Sequence, residues 1–237
     1  MAFDVYVGTF TRYYTLNWEN VAQQQARLEG KEYHVVYSGG DPGPPPDPKE
    51  VRETVDIWKQ SINTSIAQHG CAPIEWSEDD EQPYFTDRPG WPGFRGLLLW
   101  ASYAQFPELT PPYELPQNWF EDPAFQRAAA LDEENMYSSI LLANIWLPGE
   151  FLFRFEFPDL AEDEQASISS CSCLLAQLGA LKDSEQKWSK PDGGGKSKKS
   201  SGEISLTLKE AAHIGHSVFT EMAERAVEHH LPLLLSY

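Results

Sequence analysis

The feature that most constrains this chain is its most apolar stretch, PGFRGLLLWASYAQFP, from Pro92 to Pro107. Phe94, Leu97, Leu98, Ala101 and Ala104 recur at helical spacing, which predicts a mostly buried helix with Trp91 and Trp100 as large anchors. Pro107 stops that helix, because proline lacks the donor needed to continue it. Asp87-Arg88-Pro89-Gly90 supplies turn chemistry just before it. An acidic run, Ser77–Gln82 (SEDDEQ), stands upstream, and a Pro-rich connector, Leu109–Gln117, follows.

Elements on either side follow from periodicity. Phe3, Val5 and Val7 alternate with polar or aromatic positions and predict a strand ending at Gly8. TFTRYYTLNW reads as a polar-aromatic loop, Asn17 as the cap of a helix to Leu28, and Tyr33–Tyr37 as a second strand. The prolines of Asp41–Asp47 make a stiff connector. Asp47 and Pro48 then open a helix carrying Val51, Val55, Trp58, Ile62 and Ile66 on one face. Ala72–Trp76 reads as an extended piece. Asp122-Pro123 starts a short helix to Ala130, and Glu134–Trp146 reads as another helix. Phe151, Phe153, Phe155 and Phe157 alternate as a strand, Ala166–Cys173 is a second one, and Leu174–Lys182 is helical. Ile204, Leu206 and Leu208 read as a closing strand. Thr207-Leu208-Lys209-Glu210 fits a capping box opening a helix to His230, with Ala211, Ile214, Val218, Met222 and Ala226 inward. The sum is an α/β (or α+β) fold: a mixed sheet flanked by helices in a single globular domain. Within it are an N-terminal β-α-β-α part (1–70), a central helical part (83–147) and a C-terminal strand/helix part (150–237). Residues 187–202, rich in Gly, Lys and Ser, read as a mobile insertion.

Charge narrows the partners. The chain has 36 acidic and 18 basic residues, a formal charge of −18. Segment 187–199 holds five lysines against Asp192; without it 13 basic and 35 acidic residues remain, a charge of −22. Such a body repels phosphate backbones and attracts basic proteins, so no direct nucleic-acid contact is expected. Acidity for solubility is the bland alternative. Three cysteines do not make a disulfide framework. The opening residues lack a basic n-region and a long apolar core, and no run reaches membrane-span length. The expectation is a cytoplasmic protein with no membrane contact.

Candidate chemistries are weak. Glu210, His213 and His216 share metal-ligand spacing on a helix, but no matching partner helix exists and the pair reads as a solvated face. Cys171 and Cys173 read as strand residues sharing a core face. Gly193-Gly-Gly-Lys196-Ser197 lacks the earlier glycine of a phosphate loop and reads as a linker. No catalytic residue, metal or cofactor is assigned. Arg12, Tyr13, Tyr14, Asp41, Asp87 and Arg88 sit in loops that could share one sheet edge, where a small-molecule enzyme site is the alternative to simple bracing contacts. Carboxylates among aromatics make a protein-binding patch the sharper reading of the acidic clusters. Its residues are Trp76, Glu78, Asp79, Asp80, Glu81, Tyr84, Asp87 and Trp91.

The segments MAFDVYVGTFTRYYTLNWEN, GGDPGPPP, PYFTDRPGW and FEDPAFQR resemble a family of acidic bacterial cytoplasmic proteins. That family is associated with polymorphic-toxin and type VI secretion loci. The resemblance covers residues 1–160 and the last strand–helix. It implies an immunity protein: a stoichiometric inhibitor, without cofactor, that occludes a cognate and basic toxin domain. An adaptor of a secretion system is a further alternative.

Overall fold

The computed structural model describes residues 3–33, 45–160, 165–185 and 206–236. Along them run β1 (Asp4–Val7), α1 (Phe10–Tyr14), α2 (Val21–Leu28), α3 (Pro48–Gln68), β2 (Phe85–Asp87), α4 (Gly90–Gln105), α5 (Pro123–Ala130), α6 (Ser138–Leu141), β3 (Ile145–Leu147), β4 (Phe155–Pro158), β5 (Gln165–Ser170), α7 (Cys171–Asp183), α8 (Leu208–His229) and β6 (Leu233–Ser236). The strands form one mixed sheet in the order β2-β1-β6-β3-β5-β4. Only β3 and β5 run parallel; the other neighbours are antiparallel.

Alternation along the strands divides the core into two layers. Val5, Val7, Trp146 and Leu233 face α4, α7 and α8. Tyr6, Ile145, Ile168 and Leu234 face the other way, onto Phe10 of α1 and Val55, Trp58, Ile62 and Ile66 of α3. The chain is therefore a single globular α/β domain with helices on both sheet faces, as the periodicity predicts. The central strand β6 is the last in chain order, and it alone joins the β2-β1 pair to the β3-β5-β4 group.

The apolar helix α4 is present and buried from Leu97 to Tyr103. It lies directly against α8, backbone to backbone. A Cβ at Gly96 would stand 2.5 Å from the Ala212 nitrogen, and one at Gly215 would collide with the Gly93 carbonyl. Glycine is required at both positions by this approach.

Local capping explains several boundaries. Asp47 accepts from the Lys49 N–H with Pro48 in the first turn of α3. Asp122 caps α5 and also accepts from the Tyr103 hydroxyl at 2.9 Å. The capping box of Thr207 and Glu210 opens α8.

Several expectations are corrected. The loop Thr9–Leu16 contains α1, capped by Thr9. The cap of α2 is Asn20, with Gln23 completing a capping box, and not Asn17. The helix expected over Glu134–Trp146 is only α6, because Ile145–Leu147 extends into the sheet as β3. Of the Phe151–Phe157 alternation only Phe155 onward forms β4. Cys171 and Cys173 belong to the first turn of α7, whose cap is Ser170, and not to a strand. Leu208 is helical, and the strand closing the sheet is Leu233–Ser236. The buried stripe of α8 is wider than expected: Ala211, Met222 and Ala226 are inside as the spacing predicts, Ala212, Gly215, Phe219 and Ala223 join them, and Ile214 is exposed. Residues 34–37 of the expected second strand, Asp41, Ile204 and the insertion 187–202 lie outside the described residues.

The glycine contact makes a paired prediction. Gly215→Ala should lower unfolding stability by about 3 kcal/mol, since the backbone of α4 cannot retreat without unpacking the layer. Gly179→Ala, at an exposed site in α7 with open space around it, should raise it by up to about 1 kcal/mol through helix propensity. Urea denaturation of both variants measures the contrast.

Candidate functional site

The acidic run is held in a fixed frame. Glu78 is buried at 8% exposure, and its carboxylate accepts from the Phe10 N–H at 3.2 Å and the Thr11 N–H at 2.8 Å. These are N-terminal donors of α1 with no partner inside the helix. The same carboxylate accepts from Trp76 Nε1 at 2.6 Å. Trp76, 6% exposed, packs beside Phe10. Arg12 returns from α1 to donate to the Gln82 carbonyl at 2.7 Å and to the Asp80 carbonyl, and its guanidinium lies 5.1 Å from the centre of the Tyr84 ring.

A second set of pins comes from α3. Asn63 donates to the Ile74 carbonyl at 3.0 Å and accepts from its N–H at 2.7 Å. Lys59 donates to the Trp76 carbonyl at 2.7 Å and pairs with Glu75 at 3.0 Å. Arg52 reaches Asp80 at 2.7 Å. The backbone of residues 74–82 is thus tied at both ends and in the middle. Glu75, Asp79, Asp80 and Glu81 are left exposed. Asp56, one turn from both Arg52 and Lys59 on α3, is exposed as well and continues the acidic surface.

The eight residues expected to form a contact patch therefore separate. Asp79, Asp80 and Glu81 are at the surface. Trp76 and Glu78 are interior and work as the clamp, so they offer no contact area. Tyr84 is half-buried beneath Arg12 and beside Tyr6. Asp87, half-buried on β2, accepts from the Arg88 N–H at 2.7 Å. Trp91 packs on Phe3 and Phe94 in the layer on the opposite sheet face, away from the loop. Arg12, Arg52, Lys59 and Asn63 complete the frame. The last three were legible as a stripe at helical spacing flanking the apolar face of α3.

The five described members of the edge enzyme set, Arg12, Tyr13, Tyr14, Asp87 and Arg88, do not converge. Arg88 makes a two-pronged pair with the buried Asp4, at 2.5 and 3.0 Å, at the start of β1. Arg12 is spent on the loop beyond the end of β1. Tyr13 donates to the Leu235 carbonyl at 3.2 Å and Tyr14 to Asp159 at 2.9 Å. Tyr14 borders a cleft of 380 Å³ with Val51 and Leu160, whereas Asp87 borders a different groove of 550 Å³. Arg12, Tyr13 and Arg88 border neither.

Among the described residues, no group of three or more His, Cys, Asp and Glu side chains is placed to hold a metal ion, and no helix is long and apolar enough to cross a membrane. Burial pushes the thiols of Cys171 and Cys173 upward, away from the reactive thiolate form. His213 pairs with Glu185 at 3.1 Å on the exposed side of α8. His216 departs from the expected solvated face: it is half-buried, with its ring against Trp100 and Nε2 3.0 Å from the Leu178 carbonyl. No family model, curated protein or solved structure matches this chain.

Two measurements check this account. Glu78→Ala strands the Phe10, Thr11 and Trp76 donors in the interior, so unfolding stability should fall by about 2–3 kcal/mol, read by denaturant titration. Burial holds the His216 imidazole below its usual range. A depressed histidine favours the folded state above its unfolded value, near 6.5, and that contribution is lost as pH falls through the folded value. Wild type should therefore lose more stability than His216→Gln between pH 7 and pH 5, read as melting temperature against pH.

Proposed function

We propose that this chain is an immunity protein: a cytoplasmic, stoichiometric inhibitor that binds a cognate secreted antibacterial toxin and occludes its active site. The observation that carries the reading is the pinned acidic loop. Glu78, Arg12, Lys59 and Asn63 fix its backbone, so Asp79, Asp80 and Glu81 project from a frame that is already ordered before any partner arrives. Preorganisation removes part of the entropy loss of association. An outward row of carboxylates on a body of charge −18 attracts a basic surface, speeds encounter and discourages acidic competitors. The sequence resemblance of residues 1–160 and the last strand–helix points to the same role, in the setting of a toxin locus such as a type VI secretion system. Under this reading the partner is a basic toxin domain, with Asp79, Asp80 and Glu81 at the contact and Trp76 and Glu78 as the support beneath it.

Co-expression with the toxin encoded by the neighbouring gene tests the reading. Growth should be rescued and a stable complex recovered. Asp79→Lys with Asp80→Lys should weaken that complex by about a hundredfold, chiefly through slower association, with steep salt dependence and only the small loss of melting temperature that comes with the exposed Arg52–Asp80 pair. Absence of rescue by any adjacent toxin would remove the proposal. Rescue without a complex would favour the enzyme alternative, and a complex with secretion machinery alone would favour the adaptor.

A further inference from the structure

The two edges of the sheet are built differently. At the β4 edge, the cross-bond from the Asn144 N–H to the Ser167 carbonyl fixes which residues of β5 face β3. Given the β4–β5 register, Glu156 and Pro158 then turn their backbone groups outward. Pro158 has no N–H to offer, and its carbonyl accepts from Trp58 Nε1 at 2.7 Å. Glu156 is paired with Arg154. Proline, charge and a covering side chain are the usual devices that close an edge to other strands.

At the β2 edge, the Gly8 N–H bonds to the Pro232 carbonyl at 3.1 Å, so Tyr6 turns its backbone towards β6 and Val5 and Val7 turn theirs towards β2. Phe85 and Asp87 pair with them, and the N–H and C=O of Thr86 point out of the sheet. Among the described residues, no strand pairs with β2 on that side. The edge opens into the 550 Å³ groove between Gln24 and Arg27 of α2 and Glu221, Met222 and Arg225 of α8. Arg225, which pairs with Glu221 one turn earlier on α8 at 2.8 Å, also lies over the Phe85 ring, 4.7 Å from its centre, while Asp87 presents a carboxylate two residues further along the same face.

We propose that β2 pairs antiparallel with β2 of a second copy of this chain, about a two-fold axis at Thr86. This inference is independent of the toxin-binding reading. The axis places Thr86 opposite Thr86 of the second copy, which exchange both backbone hydrogen bonds. It also places Phe85 opposite Asp87 of the second copy, within cross-strand contact distance. The carboxylate of Asp87 then comes beside Arg225 of the other copy, and symmetry makes that ion pair twice. Capping of the Arg88 N–H by Asp87 confines the pairing to the three residues of β2, so the rims of α2 and α8 supply the remaining contact.

Sedimentation equilibrium of the full chain, over a concentration series into the high micromolar range, tests the proposal. Wild type should show a reversible dimer. Thr86→Pro and Thr86→Val both lose the hydroxyl that accepts from Gln24 Nε2 at 2.7 Å and donates to the Glu19 carbonyl at 3.3 Å, but only the proline also loses the outward N–H, so Thr86→Pro should raise the dissociation constant at least about tenfold over Thr86→Val. Circular dichroism confirms that each variant is folded. Should Thr86→Pro disturb folding, charge reversal decides. Arg225→Glu and Asp87→Arg should each weaken the dimer about tenfold or more, and the double variant should recover most of the loss. A monomer throughout the series overturns the proposal, as does a dimer indifferent to these variants.

Discussion

The close approach of α4 and α8 is the constraint on which the rest of the structure depends. Gly93, Gly96 and Gly215 bring the two backbones into contact, and this thin pair allows Phe94 and Phe219 to stack on each other while reaching Phe3 and Trp146 of the sheet. A thicker crossing would lift one helix off the strands. Among the described residues the opposite layer has no such contact. It relies on large aromatics, Tyr6, Phe10, Trp58 and Trp76, and on the polar ties that connect α1, α3 and the acidic loop. The molecule thus has one face where backbone meets backbone and one where side chains span longer gaps.

That second face hosts the candidate site, and the reason is physical. Long side chains such as Arg12, Arg52 and Lys59 can cover apolar surface with their stems and place their charged ends on a loop. The acidic run needs such support, since an unpinned string of carboxylates would repel itself into many conformations. Here Glu78 alone of the run turns inward, neutralising helix donors, and its neighbours turn out. A single inward carboxylate therefore sets the display of the others.

Much of this was legible in the sequence. The buried α4, the capped α3 with its Val55–Trp58–Ile62–Ile66 stripe, and the capping box of α8 all follow from local rules, and they agree with the structure. What failed was decided by partners distant in sequence. Ile145–Leu147 carries helical signals but becomes a strand because β5 and β6 receive it. Leu233–Ser236 is too short to announce itself, yet it occupies the middle of the sheet. Trp76 and Glu78 looked like surface anchors because composition does not distinguish an inward from an outward acid within one run. Their burial depends on α1, which the polar-aromatic segment Thr9–Leu16 did not advertise. Trp91 was placed with the loop by proximity in sequence, whereas α4 carries it to the opposite layer.

The position of β6 has a consequence for how the chain comes to be made. The β2-β1 pair and the β3-β5-β4 group meet only across this strand, and every other described element precedes it in synthesis. The β2-β1 pair and the β3-β5-β4 group of a nascent chain cannot be joined until residues 233–236 have been made. The strand edges that wait for β6 are rich in Val, Ile and Trp. The finished sheet then closes in one late step, with pairings between residues more than two hundred positions apart, such as Val5 with Leu235.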